Sequence, residues 1–560
     1  MDSFPILSII TYMPVLGALA ILFLGRGSSD MPKKIALGAS LVSFVLSLIL
    51  MVQFERDATF QFTEHAVWLE DLGVSYFMGI DGISLLMVVL TTFITLIAII
   101  WSWGTVQKRE REYYMAILLL QTGMLGVFMA LDLFIFYIFW EIMLIPMALL
   151  IGIWGSSNRI YAAIKFFLYT LAGSLLMLVG IIALYQAYYL ETGIRTLNIL
   201  ELQNGAAGAF SQNLQFWTFG AFFIAFAVKV PLFPFHTWLP DAHVESPTAG
   251  SVILASVMLK MGGYGLLRFN LPLLPEGSET WAPIVIGLSL IGIIYGSLVA
   301  LVQPDLKKLI AYSSVSHMGF VTLGIFVMNL QGLEGAMIVM LAHGFNTGAL
   351  FLLVGVIYER GHTRLIDAFG GLATSMGKWA GLFILFTFAS IGLPGLSGFI
   401  GEFLVALGTY KYNPFAAVVA FAVVILAAWY MLYMAQRVVW GRAWGQAPDP
   451  ADGELTADEK LEVERLGLSG HGHGHDDHAH PVVSGGDHHH HDTDPGDGYP
   501  THPGQINSSK WPDMTPRELL CLVPLAVMTV AMGVYPKPVF DIMEPALKAV
   551  LEGAARVIGS

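Results

Sequence analysis

Charge and cysteine are what this sequence has least of. Only 12% of its 560 residues are charged and 56% are hydrophobic, whereas about a quarter of the residues of a soluble domain are charged. The single cysteine, Cys521, excludes a disulfide within the chain and an iron–sulfur cluster bound only by its own thiolates. The sequence also lacks the glycine-rich loops that bind dinucleotides or phosphates. We therefore expect a membrane protein without a cofactor of its own.

Long apolar runs fill most of the chain, and a membrane-spanning helix needs about 20 mostly apolar residues. On that basis about fourteen spans are predicted, near residues 5–24, 35–54, 78–101, 113–130, 132–154, 163–187, 215–236, 247–268, 280–301, 307–328, 333–356, 380–408, 414–440 and 517–536. No basic region precedes the first run, which favours a retained span over a cleaved signal peptide. The sequence thus predicts an all-α polytopic membrane protein.

Basic residues concentrate in every second loop between these spans. They are Arg26, Lys33, Lys34, Lys108, Arg109, Arg111, Arg159, Lys165, Lys307, Lys308, Arg360, Arg364, Arg437 and Arg442. Loops rich in lysine and arginine stay on the cytoplasmic side of a membrane. We therefore expect a protein of the bacterial inner membrane, with its odd-numbered loops in the cytoplasm and both termini on the periplasmic side.

One predicted cytoplasmic loop, residues 441–515, differs in composition from the rest of the chain. It is polar and rich in glycine, aspartate and histidine, which is typical of a disordered insertion. A flexible linker is the favoured interpretation, and metal buffering by its histidines is the alternative. The candidate metal ligands are His471, His473, His475, His488, His489 and His490.

Two five-helix segments show parallel features, which predicts an internal repeat. Each has a helix interrupted by proline or glycine, at Lys229-Val-Pro-Leu-Phe-Pro-Phe-His236 and at Ile391-Gly-Leu-Pro-Gly-Leu-Ser-Gly-Phe-Ile-Gly-Glu402. An odd number of spans puts consecutive units in opposite orientations, and matched broken helices mark a transport site near the membrane midplane. The predicted organisation is three N-terminal helices in 1–112, inverted repeats in 113–268 and 280–440, the polar loop in 441–515, and a last helix with its tail in 516–560.

Six titratable side chains fall near the middle of six different predicted spans. They are Glu141, Lys229, Lys260, His317, His343 and Glu402. A charged group in the hydrocarbon layer costs roughly 2.5–3.5 kcal/mol, so it needs a partner or a water-filled cavity. One such residue alone could be a structural ion pair or an interhelical hydrogen bond. Six at similar depth, beside two broken helices, instead predict a polar axis that carries protons.

The residue types of this axis suit proton transfer. Burial disfavours the charged form of Lys229, whereas a carboxylate that approaches it, such as Glu141, favours that form. Movement of this pair would therefore load and release a proton. Histidine exchanges protons near neutral pH in either direction, and Glu402 could accept a proton and pass it out. His236 and His243 lie nearer the cytoplasmic end and are expected to be interfacial, with His236 on the loading route to Lys229.

Four motifs of the chain are distinctive beyond their chemistry. They are Phe77-Met-Gly-Ile-Asp-Gly-Ile-Ser84, Trp140-Glu-Ile-Met-Leu-Ile-Pro146, Ala227-Val-Lys-Val-Pro-Leu-Phe-Pro-Phe-His-Thr-Trp-Leu-Pro-Asp-Ala-His243 and Ser316-His-Met-Gly319. These motifs resemble the antiporter-like subunits of respiratory complex I, a family that includes subunits of cation/proton antiporters and membrane-bound hydrogenases. The resemblance covers nearly the whole chain except the His-rich loop.

The resemblance implies a role for each residue of the axis. It makes Lys229 the central proton carrier, Glu141 the carboxylate that controls it, and Lys260 the connecting lysine. It makes His317 and His343 proton relays.

Glu402 indicates one branch of the family. The second broken helix ends in lysine in L-type and N-type subunits and in glutamate in M-type subunits, which Glu402 resembles. A single predicted span after the polar loop also fits the M type, because L-type chains have a long lateral C-terminal helix. The implied partners are L-type and N-type subunits, small membrane subunits and lipid, with no nucleic acid. FMN, iron–sulfur clusters and quinone would belong to partner subunits.

Three functions are compatible with the sequence. The favoured one is proton translocation, coupled to quinone reduction in other subunits of an NADH:quinone oxidoreductase. A subunit of a cation/proton antiporter or of a membrane-bound hydrogenase could use the same axis, although Glu402 in place of lysine argues against the antiporter. A purely structural subunit would not need six buried titratable groups, each of them costly.

Overall fold

The computed structural model describes residues 4–24, 30–440 and 511–558, which are mostly helical. Helices α1 to α7 span Ile6–Leu24, Met31–Gln53, Gly82–Ser102, Glu110–Met129, Leu133–Ile142, Leu144–Trp154 and Arg159–Thr192. Helices α8 to α13 span Ile199–Ala209, Gln212–Lys229, Trp238–Glu245, Thr248–Leu273, Pro275–Leu301 and Leu306–Phe326. Helices α14 to α19 span Leu330–Gly361, Gly377–Ile391, Ser397–Tyr412, Pro414–Val439, Pro516–Val534 and Lys537–Ile558.

Twelve helices of the described ranges, with α5 and α6 counted as one, are long and apolar enough to cross a membrane. The two other predicted spans are present as interrupted helices. In one of them α9 and α10 flank residues 230–237, and in the other α15 and α16 flank residues 392–396. The prediction of a polytopic helical protein with two broken helices is therefore confirmed. The division of the chain into two inverted repeats stays a prediction.

The structure adds one β-hairpin to the predicted helical fold. Its antiparallel strands are β1, Gln61–Leu69, and β2, Val74–Ile80. Asp81 separates β2 from α3, because its carboxylate accepts a hydrogen bond from the Ser84 N–H at 2.9 Å and so caps the helix. The third span therefore begins at Gly82 and not near residue 78.

Loops rich in basic residues meet at one end of the bundle, which we call the basic end. There the Ser156 N–H donates to the Glu245 carbonyl at 3.0 Å, and Arg364 Nη1 donates to the Val244 carbonyl at 2.7 Å. These contacts tie the loops after α6 and α14 to the end of α10. This gathering agrees with the alternation of loop charge along the sequence. Which side of the membrane the basic end faces stays a prediction.

The hairpin lies at the opposite end of the bundle, which we call the hairpin end. The Leu131 N–H, in the turn after α4, donates to the Phe77 carbonyl of β2 at 2.8 Å. Helix α19 crosses the same end and packs on α3, α12 and α14. It approaches α3 so closely that a side chain at Gly82 would clash with the Ile542 carbonyl. This second C-terminal helix was not expected, because only a tail was predicted after the last span.

Helices α11, α13 and α14 form the centre of the bundle. Every residue in the most apolar stretch of α11 and of α14 is buried, and so is 94% of that stretch in α13, against 33% in α2 and 39% in α17. The outer helices therefore present apolar surface to lipid or to neighbouring chains. The central helices, which hold Lys260, His317 and His343, are shielded from both.

Candidate functional site

Lys229 lies at the first broken helix. Helix α9 ends at this residue because Pro231 and Pro234 follow it, and proline has no N–H to continue the helical hydrogen bonds. The Val228 carbonyl accepts a hydrogen bond from Trp238 Nε1 at 2.8 Å. Lys229 is 1% exposed, and its ammonium group has no hydrogen-bond partner among the described residues.

Two aromatic rings and one carboxylate lie near the ammonium group of Lys229. Its Nζ is 5.3 Å from the ring centre of Trp140 and 5.6 Å from that of Phe166, distances at which cation–π attraction acts. Glu141 lies near the end of α5, and within the described chain one of its carboxylate oxygens is buried without a hydrogen-bond partner. In that same part of the chain no ion pair joins Lys229 to Glu141, so the structure shows the two residues apart.

Lys260 and His343 contact each other in the centre of the bundle. Lys260 Nζ lies 2.7 Å from His343 Nδ1, and the two residues are 0% and 4% exposed. Lys260 also donates to the Ala255 carbonyl, which belongs to a wide π-helical turn of α11 at Leu254–Met258. Turns of this kind occur frequently at functional sites.

His317 and Glu402 continue from this contact. The ring centres of His317 and His343 are 5.8 Å apart, and His317 Nδ1 lies 2.9 Å from Glu402 Oε1. The same three side chains line a small cavity together with Asn346. The structure thus arranges Lys260, His343, His317 and Glu402 as a row of proton-exchanging groups, which we call the central row.

The second broken helix positions Glu402 at one end of the central row. Helix α15 ends at Ile391, and Gly392 and Gly395 follow with φ of +83° and +92°, a left-handed conformation that favours glycine. The helix resumes at Ser397 as α16, and Glu402 lies in its second turn with 9% exposure. The break predicted from the sequence is therefore present at the expected residues.

The two histidines that were expected at the interface are both buried. His236 is 2% exposed, and its ring centre is 5.0 Å from that of Tyr295. His243 is 0% exposed and stacks on Phe351 with ring centres 4.6 Å apart. None of the four ring nitrogens has a hydrogen-bond partner within the described ranges. Both rings lie inside the bundle because α10 packs between α7 and α13, and their depth in the membrane stays a prediction.

His243 is the candidate site residue that sequence reasoning set aside. The charged groups that act on its ring are Lys307, at the basic end, and Lys260, in the central row. Its signal in the sequence was its place in the motif around Lys229.

Three acidic residues at the ends of spans cap helices. Asp81, Asp132 and Asp305 accept hydrogen bonds from backbone N–H groups in the first turns of α3, α5 and α13. Asp81 also forms an ion pair with Arg268 at 2.6 Å, and each of these side chains is 3% exposed. This buried pair could not be predicted from the sequence, because its members are 187 positions apart.

The predicted metal ligands lie outside the described residues. His471, His473, His475, His488, His489 and His490 all belong to the stretch 441–510. In the ranges that the structure does describe, no group of three or more histidine, cysteine, aspartate or glutamate side chains could hold a metal ion.

Comparison with a protein-family model agrees with this geometry. The family described as "NADH:quinone oxidoreductase/Mrp antiporter, TM" matches residues 130–427, which contain both broken helices and the central row. Matched breaks and a row of buried titratable groups define the chain as an antiporter-like transmembrane subunit. It belongs to the NADH:quinone oxidoreductase/Mrp antiporter family.

Two relatives narrow the position of the chain within this family. It is 44% identical to NADH-quinone oxidoreductase subunit M of Rhodobacter capsulatus, over 99% of this chain and 98% of that protein. It is 47% identical to NADH-ubiquinone oxidoreductase chain 4 of Arabidopsis thaliana, over 76% of this chain and 85% of that one. The M-type assignment among complex I subunits, which Glu402 indicated, is confirmed.

Two solved structures show the same fold. A chain of respiratory complex I from Thermus thermophilus with bound NADH matches with a TM-score of 0.78 and 29% identity, over 98% of this chain and 99% of that chain. A chain of the Mrp complex from a Dietzia species matches with a TM-score of 0.78 and 21% identity over 99% of both chains, a likeness of fold alone. Together with the relatives, these findings identify an integral membrane subunit of a proton-translocating oxidoreductase of the complex I type.

Proposed function

We propose that the chain moves protons along the buried axis and that quinone reduction in partner subunits drives this movement. The observation that carries the proposal is the central row, in which Lys260 Nζ is 2.7 Å from His343 Nδ1 and His317 Nδ1 is 2.9 Å from Glu402 Oε1. A scaffold needs no such row, because each buried charge costs roughly 2.5–3.5 kcal/mol.

Each contact of the central row can pass one proton. A charged Lys260 donates a hydrogen bond to His343 Nδ1, and transfer of that proton leaves a neutral lysine and an imidazolium. The next transfer needs a bridging water, since the rings of His343 and His317 are 5.8 Å apart between centres. His317 then donates through Nδ1 to the Glu402 carboxylate. Imidazole accepts a proton at one nitrogen and donates from the other, so each histidine acts as a relay.

Glu141 and Lys229 form the loading part of the axis. Approach of the Glu141 carboxylate stabilises the charged lysine, and its withdrawal releases the proton toward Lys260. Residues 230–237 are not helical, which gives the backbone at Lys229 the freedom that this movement needs. His236 lies on that segment and is the group that passes a proton to Lys229.

The proposed setting is the inner membrane of a bacterium, with the basic end in the cytoplasm and both termini on the periplasmic side. Concentration of lysine and arginine at the basic end supports this orientation. The proposed partners are L-type and N-type subunits, small membrane subunits and lipid, and FMN, iron–sulfur clusters and quinone belong to partner chains. The two halves, 113–268 and 280–440, are proposed to be inverted repeats, because each contributes one broken helix.

A cation/proton antiporter subunit is the second candidate function. The observation that favours it is the match in fold to the Mrp complex chain, at a TM-score of 0.78. An antiporter would use the same axis and differ in lacking coupling to a redox reaction. A subunit of a membrane-bound hydrogenase is a further alternative that shares the redox coupling.

Replacement of Lys229 by alanine tests the proposal in the assembled complex. We expect proton pumping and NADH:quinone oxidoreduction to fall about a hundredfold, the scale that a positioned acid–base group contributes. Both are measured in membrane vesicles after native electrophoresis has confirmed assembly. Lys34→Ala, at an exposed lysine, is the matched control and should leave both activities unchanged.

Two other outcomes would change the conclusion. If Lys229→Ala keeps full pumping, the axis is not the proton path. If NADH oxidation is untouched while tolerance to Na⁺ or alkaline pH is lost, the antiporter function replaces the redox-driven pump.

A further inference from the structure

We propose that Lys165, Asp241, Phe166 and Trp238 form a closed intake gate between the basic end and Lys229. The inference rests on the proposed role of Lys229 as a proton carrier. It gives the ion pair of Lys165 and Asp241 the role of a latch, and the two aromatic rings that of a plug. What the gate admits is water and the protons that water conducts.

A polar cavity at the basic end leads to this gate. Its volume is about 140 Å³, which is room for a few water molecules. Its lining includes Asn158 and Tyr161 from the start of α7, Asp241 and Glu245 from α10, and Lys308 from α13. Carboxylate, amide and ammonium groups hold water readily. The cavity therefore brings solvent as far as the Asp241 carboxylate.

The latch joins two helices at the inner wall of the cavity. Lys165 Nζ lies 2.6 Å from Asp241 Oδ2, and the two side chains are 20% and 34% exposed. Lys165 belongs to the second turn of α7 and Asp241 to the first turn of α10, so the pair holds these helices together. A partly exposed ion pair is weak enough to open by thermal motion.

The plug is formed by close neighbours of the latch residues on the same two helices. Phe166 follows Lys165 on α7, and Trp238 precedes Asp241 by three residues on α10. Their ring centres are 5.4 Å apart, and the two residues are 0% and 1% exposed. Phe166 also faces Lys229, whose Nζ is 5.6 Å from its ring centre. The apolar rings thus separate the lysine from the latch and from the water-accessible cavity.

Latch and plug move together, because each takes one residue from α7 and one from α10. In the described chain, the remaining polar contacts between the two regions are a 2.8 Å hydrogen bond of Tyr169 with Thr237 and the hydrogen bonds of Glu245 at the far end of α10. In the proposed gate, opening of the pair between Lys165 and Asp241 lets the first turn of α10 pivot about the end held by Glu245, which parts the two rings. Trp238 is bonded through Nε1 to the Val228 carbonyl, so its movement also reaches the end of α9.

Solvent access to position 229 tests the gate without requiring proton pumping. The purified complex carries Cys521→Ala and Lys229→Cys and is labelled with 2-aminoethyl methanethiosulfonate, and mass spectrometry quantifies the modified chain. We expect Asp241→Asn to raise the labelling rate about fivefold, the top of the range for a partly exposed ion pair. Phe166→Ala leaves a cavity in the plug and should raise the rate at least about tenfold.

Two matched variants separate a gate from a general loosening of α7. Leu168 lies on the same helix and is 57% exposed, so Leu168→Ala should leave the labelling rate unchanged. The double variant Lys165→Asp with Asp241→Lys restores the ion pair with its charges exchanged. It should return the labelling rate to that of Lys229→Cys alone. If the single substitutions acted by a loss of packing, the exchanged pair would not restore that rate. If Phe166→Ala does not assemble, Phe166→Leu replaces it as a smaller, still apolar side chain.

The outcomes distinguish the gate from the proton path itself. Equal labelling rates in the Asp241, Phe166 and Leu168 variants would overturn the gate and leave the role of Lys229 to its own experiment. Raised labelling together with full pumping by Lys229→Ala would support the gate as a water barrier and refute the proposed proton path.

Discussion

The two buried lysines of the axis differ in what surrounds their ammonium groups. Lys260 is within hydrogen-bonding distance of His343, with 2.7 Å between Nζ and Nδ1. Lys229 has no such partner in the described chain and faces two aromatic rings. A hydrogen bond provides a path for a proton, whereas an aromatic face does not. Proton transfer from Lys229 therefore depends on movement of Glu141 and of the end of α9. Proton transfer from Lys260 needs no such movement, because its hydrogen bond to His343 is already present.

Replacement of His343 by glutamine should interrupt the central row. Glutamine keeps a hydrogen-bond acceptor for Lys260 but cannot carry a proton between its two polar atoms. We expect proton pumping to fall about a hundredfold while the complex still assembles. His65→Gln, at an exposed histidine of the hairpin, is the control. Normal pumping by His343→Gln, measured with a pH-sensitive dye in vesicles, would exclude the central row as the path.

The residues of the axis could be predicted from their positions near the middle of apolar runs in the sequence, but the contacts between them could not. Lys260, His317 and His343 each lie near the middle of a span, which the apolar runs alone indicate. Which of them touch depends on the rotation of each helix about its axis, and a helix that is apolar all round gives no signal for this. Burial of His243 could not be predicted for the same reason, because it depends on the packing of α10 inside the bundle.

Both broken helices contain proline, which lacks an N–H, at Pro231 and Pro234 in the first break and at Pro394 in the second. The second break also contains Gly392 and Gly395, which adopt positive φ. The two glycines have different surroundings. A Cβ atom at Gly392 would lie 3.1 Å from Glu402 Oε2, whereas one at Gly395 would meet nothing within 4 Å among the described residues.

Alanine at these two glycines should separate backbone strain from contact with Glu402. Both substitutions force an alanine into the left-handed region, which costs about 1–2 kcal/mol. Only Gly392→Ala also presses a methyl group against the carboxylate. We expect both variants to lose a similar amount of thermal stability, measured by native electrophoresis after heating. Proton pumping should fall much further in Gly392→Ala than in Gly395→Ala. Equal pumping would show that transport tolerates displacement of Glu402.

Most elements could be predicted from hydropathy and from the placement of proline and glycine, but two could not. Strand β2 is a short, mainly apolar run directly before the third span, and such a run does not distinguish a strand from a helix. Helix α19 mixes charged and apolar residues, so a search for long apolar runs passes over it. Its apolar residues recur with the period of a helix, which is the sequence signal of an amphipathic helix and not of a membrane span.

At the scale of the whole molecule, the two ends of the bundle are built differently. The basic end holds the cavity that reaches Asp241. The hairpin end is covered by β1, β2 and the packed helix α19. The membrane orientation of these ends decides the direction of the proposed path.

Labelling of single cysteines should reveal that orientation. In the Cys521→Ala background, Lys108→Cys places an exposed thiol at the basic end and Glu55→Cys places one near the hairpin. A membrane-impermeant maleimide added to inverted vesicles, whose outer face is cytoplasmic, should label Lys108→Cys and spare Glu55→Cys. Right-side-out vesicles should show the reverse. The opposite pattern would invert the orientation, and with it the direction of proton movement.

The ion pair between Asp81 and Arg268 bears on how the chain enters the membrane during synthesis. Arg268 and Lys260 lie in the same helix, α11, and a charge at the centre of an inserting helix, where Lys260 lies, costs roughly 2.5–3.5 kcal/mol. Arg268 lies nearer the end of the helix, where the cost is smaller. Asp81 precedes Arg268 by 187 residues, so this partner is already in the membrane when α11 leaves the ribosome. His343 follows Lys260 by 83 residues and arrives later. Helix α11 thus inserts with the charge of Arg268 paired. Lys260 stays without His343 until α14 has been synthesised.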